Sequence, residues 1–184
     1  MRFFYLLLLP ALLLFSGCAN TLQVGSGARF NPTQQYTGGI KLEKIYLIVV
    51  GDEPTKQCLD YYREFLSDSL AVRHVGVTST YDCCVDAHTN MGERLNGLLS
   101  NLSTAANQYP YVLSAVITRA SIGHGTTSGR TMQLNLFDMH TGHSVWGGKL
   151  SQDFNSFVTD AQYQKVARKF VDKTIKELGV RGLI

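Results

Sequence analysis

The run Lys44–Val50, KIYLIVV, is apolar at both odd and even positions once past its lysine. Successive side chains on a strand point to opposite faces, so a strand apolar on both must be covered on both. The run therefore predicts a strand in the middle of a covered sheet. Gly51-Asp52-Glu53-Pro54 breaks it. From Thr55 to about Val72 the apolar residues Leu59, Tyr62, Phe65, Leu66 and Leu70 follow helical spacing. Val75–Tyr81, VGVTSTY, alternates and predicts a second strand. Asn90 followed by Glu93 has capping-box spacing, with Asn in place of Ser or Thr. Met91, Leu95, Leu98, Leu99 and Leu102 then line one side of a second helix.

Tyr111–Ala120, YVLSAVITRA, predicts a third strand. A glycine-rich loop follows at residues 123–129. Met132, Leu134 and Leu136 alternate with Gln133 and Asn135, giving a fourth strand with one wet face. Asp138–Gly142 is a turn in which Gly142 takes positive φ. Ser144 to about Asp153 is a fifth strand. Thr159 and Asp160 cap a last helix, with Val166, Ala167, Phe170, Val171, Ile175 and Leu178 on one side. The expected fold is α/β of the α+β kind, a two-layer sandwich. A mixed sheet of about five strands carries three helices on one face. The order is β-α-β-α-β-β-α with an additional hairpin strand.

Composition supports one folded domain with appendages. Of 184 residues, 45% are hydrophobic and 17% charged, which excludes a disordered chain. The net charge of +3 is scattered, so charge gives no reason to expect a nucleic-acid partner.

The N-terminus reads as an address. Met1 and Arg2 precede an apolar run from Phe3 to Phe15, interrupted only by Pro10. A membrane-spanning helix needs roughly 20 apolar residues, so this run has the length of a signal-peptide core instead. It ends in Phe15-Ser16-Gly17-Cys18, which resembles the bacterial lipobox, with Phe15 where Leu is usual. The resemblance implies cleavage before Cys18, a diacylglyceryl group on its thiol and an acylated amine. Ala19, in place of Asp, implies the outer membrane of a Gram-negative cell. Ordinary cleavage without a lipid is the alternative. Residues 1–17 are then a signal peptide and 18–40 a lipidated cysteine with a flexible linker. Residues 41–184 form the periplasmic globular domain. About 20 flexible residues span ~25 Å and stretch to ~70 Å.

With Cys18 committed, Cys58, Cys83 and Cys84 remain for an oxidising compartment. A disulfide from Cys58 to Cys83 or Cys84 is the first reading. It closes a loop of about 25 residues and contributes ~3 kcal/mol. A bridge between the adjacent Cys83 and Cys84 is strained. The alternatives are a buried thiol that only packs, or a metal or small-ligand site using Cys83, Cys84 and His88, whose spacing is not a standard zinc pattern.

The stretch MQLNLFDMHTGHSVWGGKL, through Asp138, Thr141, Gly142 and Trp146, resembles the D-x-x-T-G-x-x-x-W strand-turn-strand of small periplasmic lipoprotein domains. These include LpoB-type penicillin-binding-protein activators, CsgG-like secretion components and the N-terminal domain of TolB. The likeness runs over roughly residues 40–180. It implies the fold of these domains; the absence of recognisable reactive constellations, beside a strong anchor, points to a non-enzymatic module that binds a periplasmic or envelope protein.

The reactive candidates each have a plainer reading. His140 and His143 flank a turn, and two further metal ligands are not evident. Gly123-His124-Gly125 with Thr126, Thr127 and Ser128 is placed to cradle an anion, yet GxxxxGK[ST] is absent and the segment links two strands. No G-x-S-x-G or H-E-x-x-H occurs. Trp146 suits packing. The basic side of the last helix, Lys165, Arg168, Lys169, Lys173 and Lys176, is a solvated face partly balanced by Asp172 and Glu177. The expectation is therefore an outer-membrane lipoprotein facing the periplasm, anchored through Cys18. It needs no cofactor and docks a protein through exposed strand edges and through His124, Thr126, Thr127 and Arg130.

Overall fold

A computed structural model describes residues 28–34, 36, 38–51, 55–83, 90–103, 107–119, 127–155 and 159–184. The chain runs β1 (Arg29–Gln34), β2 (Lys44–Gly51), α1 (Lys56–Ala71), β3 (Gly76–Cys83), α2 (Met91–Ser103), β4 (Tyr111–Arg119), β5 (Thr127–Asp138), β6 (His143–Asn155) and α3 (Asp160–Val180). The six strands form one mixed sheet in the order β1-β6-β5-β4-β2-β3. β2 is parallel to β3 and β4, while β4, β5, β6 and β1 pair antiparallel. The α+β class, the mixed sheet and the three helices agree with the sequence pattern.

The two faces of β2 explain the layering. Ile45, Leu47 and Val49 join Leu113, Met132, Leu134 and Trp146 beneath α1 and α3. From above, Leu59, Tyr62 and Leu66 of α1 and Val166, Phe170 and Leu178 of α3 close this main core. Ile48 and Val50 point the other way and meet Val112, Val116 and Leu95 in a second, smaller cluster, against which Leu98, Leu99 and Leu102 of α2 pack. Only α1 and α3 thus share the expected face, and α2 lies on the other. The cause is the double-sided apolar run: fully burying one Ile or Val is worth ~1.5–3 kcal/mol, so its second face recruits a helix.

The antiparallel part needs no such cover. Gln133 and Asn135 of β5 are half-buried and Lys149 of β6 is exposed on the face opposite α1 and α3. Gln133 Nε2 donates to Asn135 Oδ1 at 3.3 Å.

The linker expected over residues 18–40 is shorter than expected, because Arg29–Gln34 form an edge strand paired with β6. Phe30 supplies the reason. Its ring stacks on Trp146 with centroids 5.7 Å apart and lies over Gly148, where a Cβ would come within 2.1 Å of the ring. Glycine at 148 opens the slot that lets this polar strand dock. The other end of the domain is fastened by its C-terminus: Leu42 N–H donates to Leu183 O at 2.7 Å, and Leu183 N–H to Leu178 O at 3.0 Å. Gly182, at φ 69°, closes α3 there.

Candidate functional site

The Asp138–Gly142 turn carries the motif of the hairpin, and its residues build the turn. The Asp138 carboxylate accepts the His140 N–H at 2.8 Å and the Thr141 N–H at 3.4 Å. Thr141 Oγ1 donates to Asp138 O and accepts the His143 N–H. Gly142 takes φ 70°, as its place in the turn requires. Just beyond, Val145 is an extra residue, since Leu136 pairs with Trp146 and Phe137 with Ser144. That bulge aims Trp146 into the main core, where it is 1% exposed. Burial of Tyr111 beside this turn, with the Asp138 charge and then Tyr36 adding to it, pushes its phenol above the ordinary value. The likeness to periplasmic lipoprotein hairpins thus rests on residues that make a turn and a core.

Of the candidate cysteines, the structure describes Cys58 and the backbone of Cys83. Cys58 sits on α1 in the main core at 2% exposure. Cys83 ends β3, its backbone paired with Gly51. Cys84 and His88 lie outside the described residues, as do Cys18, His124 and Thr126. Thr127 and Arg130, expected in a loop, lie in β5, where they pair with Asn155 and Gln152 of β6. Their backbones therefore belong to a ladder. Among the described residues, no group of three or more His, Cys, Asp or Glu is placed to hold a metal. No helix among them is long and apolar enough to cross a membrane.

Two polar clasps were not legible in the sequence. Asp160, the first residue of α3, accepts hydrogen bonds from Gln57 Nε2 at 2.5 Å, Tyr61 Oη at 2.7 Å and Gln164 Nε2 at 3.0 Å. It ties α1 to α3 at their shared N-terminal end. Arg94 of α2 grips Asp82 of β3 with two donors, Nε at 2.5 Å and Nη2 at 2.9 Å. That hydrogen bond, reinforced by the Asp82 charge, raises the Arg94 pKa further. Both clasps join separate elements, and no local spacing announces them. On the outer side of α3, Arg168 lies over the Phe65 ring at 4.2 Å and Lys173 pairs with Glu177 at 3.1 Å. The basic stripe is therefore partly engaged on its own surface.

Among the described residues, the antiparallel part of the sheet leaves a polar surface: exposed Asn31 and Lys149 and half-buried Gln133 form one cross-strand row, and Arg29, Ser151 and Thr131 form another. In the row of Gly147 and Asn135, a Cβ on the glycine would lie 2.8 Å from Asn135 Oδ1 and 3.2 Å from Thr33 Oγ1, so these side chains close over it. The amides, hydroxyls, Lys149 and Arg29 on this face offer hydrogen bonds to a polar surface. β1 and β3 leave the two edges of the sheet.

No protein-family model matches the chain, and no curated protein matches it in sequence. Solved structures do match. The chain is similar to a point-substituted PelC dodecamer from Paraburkholderia phytofirmans, at TM-score 0.51 and 14% identity, over 82% of this chain and 97% of that one. The PelC dodecamer in a second crystal form, from the same organism, matches at TM-score 0.50 and 14% identity, over 82% and 96%. Lipoprotein GNA1162 from Neisseria meningitidis aligns at TM-score 0.40 and 12% identity, over 72% and 99%. The fold of this chain is similar to that of the PelC protomer.

Proposed function

We propose that this chain is a lipoprotein of the bacterial envelope, held to the outer membrane by acylated Cys18. Its domain works in the periplasm by binding protein and not by catalysis, and its first partner is a further copy of itself. The observation that carries the reading is the fold likeness to a dodecamer protomer, which leaves only 3% of that chain unmatched, since 97% is covered. The sheet has the means: two edges, β1 and β3, and a wet hydrogen-bonding face on β5, β6 and β1. An oligomer whose copies are all tied to one bilayer must keep its anchors on one side. That requires cyclic symmetry with head-to-tail interfaces, because dihedral symmetry places anchors on both sides.

The test is native mass spectrometry of the mature, lipid-bearing chain in detergent. The expected result is one closed assembly of many copies. A monomer at every concentration overturns the self-assembly reading.

A further inference from the structure

One cross-strand row at the end of the sheet departs from the core beside it. Ile117, Met132 and Leu150 pair in register across β4, β5 and β6, and all three are buried in the main core. Two residues further along, where β4 and β6 finish and β5 begins, Arg119, Arg130 and Gln152 are again in register. Strand alternation puts these positions on the same face of the sheet as Ile117, Met132 and Leu150. One step along the strands thus changes the row from three apolar residues to two arginines and an amide.

Two features of this row are costly in the chain alone. Residues directly opposed on antiparallel strands have Cβ atoms ~4.5–5.5 Å apart, and like charges at such positions repel. Arg119 and Arg130 are opposed in that way. Gln152 is 3% exposed, and among the described residues neither its Nε2 nor its Oε1 has a hydrogen-bond partner. An amide buried so loses its water and gains nothing in return. The described carboxylates at this end are placed elsewhere. Asp82 lies in register with Val50 on the opposite face, and Glu93 belongs to α2, which covers that face. Asp153 alternates to the opposite face, and the Asp160 carboxylate is taken by Gln57, Tyr61 and Gln164.

We propose that Arg119, Arg130 and Gln152 form a site for a phosphate group. Guanidinium groups bind phosphate through paired N–H donors, and two of them offset the charge of a tetrahedral oxyanion. Gln152 adds a selection, since its Nε2 donates and its Oε1 accepts. A phosphate that carries one proton answers both, through a bare oxygen and its O–H. An ionised carboxylate answers the donor alone. The group has the same chemistry whether it arrives as free phosphate or on a lipid. The site is independent of the anchor and of self-assembly, so its failure leaves both readings standing.

The test is calorimetric titration of the mature chain in detergent with inorganic phosphate at constant ionic strength, with Tm read on the same samples. Saturable binding and a Tm raised by several degrees are expected. Absence of both, or an equal rise with chloride, overturns the site. Arg130→Gln should weaken phosphate binding at least ~10-fold. Gln152→Leu should do the same, while its Tm without phosphate should not fall, because the change removes an unsatisfied buried amide. Binding at wild-type strength in either variant overturns the assignment, and a lower phosphate-free Tm in Gln152→Leu overturns the argument from the amide. A short-chain phosphatidic acid is titrated in parallel. Tighter binding than inorganic phosphate supports a lipid-borne group, and weaker binding supports free phosphate.

Discussion

Gly148→Ala adds one methyl group, and the structure says what it meets. The new Cβ would stand 2.1 Å from Phe30 Cζ and 2.3 Å from Phe30 Cε2. No real Cβ tolerates that, so the Phe30 ring must lift from Trp146. Phe30 is half-buried, so it gives up about half of the ~3 kcal/mol of full burial. Loss of the ring stack adds ~0.5–1.5 kcal/mol, for a total of ~2–3 kcal/mol. For a domain of this size that lowers Tm by ~4–12 °C. Five of the six β1 residues are exposed, so beyond its backbone ladder with β6 and Phe30 the strand has little to hold it. Trp146 is the single tryptophan of the chain and reports the event directly. Its emission should move to longer wavelength and amide exchange over residues 29–34 should rise, while the helical circular dichroism stays. Unchanged emission and unchanged protection of residues 29–34 would refute the view that Phe30 holds β1 in place.

Other substitutions have different signs. Gly97 is exposed in the middle of α2 with nothing near its would-be Cβ, so Gly97→Ala should raise stability by ~0.5–1 kcal/mol in urea unfolding. Asp160→Ala removes the acceptor shared by Gln57, Tyr61 and Gln164 and a negative charge at a helix start. It should cost ~1 kcal/mol and increase amide exchange at the first turns of α1 and α3. Burial pushes the Tyr62 hydroxyl well above its ordinary value, with the hydrogen bond to Thr174 opposing the shift in part. A raised folded-state pKa gives stability that is complete below pH ~10 and is lost as pH rises from there. Above pH ~10 the wild type should lose ~1.4 kcal/mol per pH unit more than Tyr62→Phe, as measured by denaturation at stepped pH. An equal alkaline slope for both would count against Tyr62 as the titrating group.

The legible parts of the fold were those with strong periods. KIYLIVV announced β2, and its double-sided pattern already demanded two covers, which α2 supplies on the second face. Thr159 announced the start of α3: its N–H donates to Gln162 Oε1 at 2.7 Å, completing a capping box. Gly142 announced its turn. β1 was illegible because RFNPTQ is polar, contains a proline and does not alternate. Its docking depends on one aromatic ring meeting one glycine far along the chain, Phe30 over Gly148, and no local window holds both. The same holds for the surface features. Asp82 with Arg94, and Asp160 with Gln57, are made by packing of elements. The wet face of β5 was visible in the alternation of Gln133 and Asn135, but its continuation onto β6 and β1 required the strand order.

The account depends on Cys18 more than on any other residue. Intact mass spectrometry of the protein extracted from a Gram-negative envelope tests it most directly. The account expects a chain that begins at Cys18 and carries a diacylglyceryl group and an amide-linked acyl chain, with both lipids absent in Cys18→Ser. A mature wild-type chain that starts elsewhere, or starts at Cys18 without lipid, would contradict it.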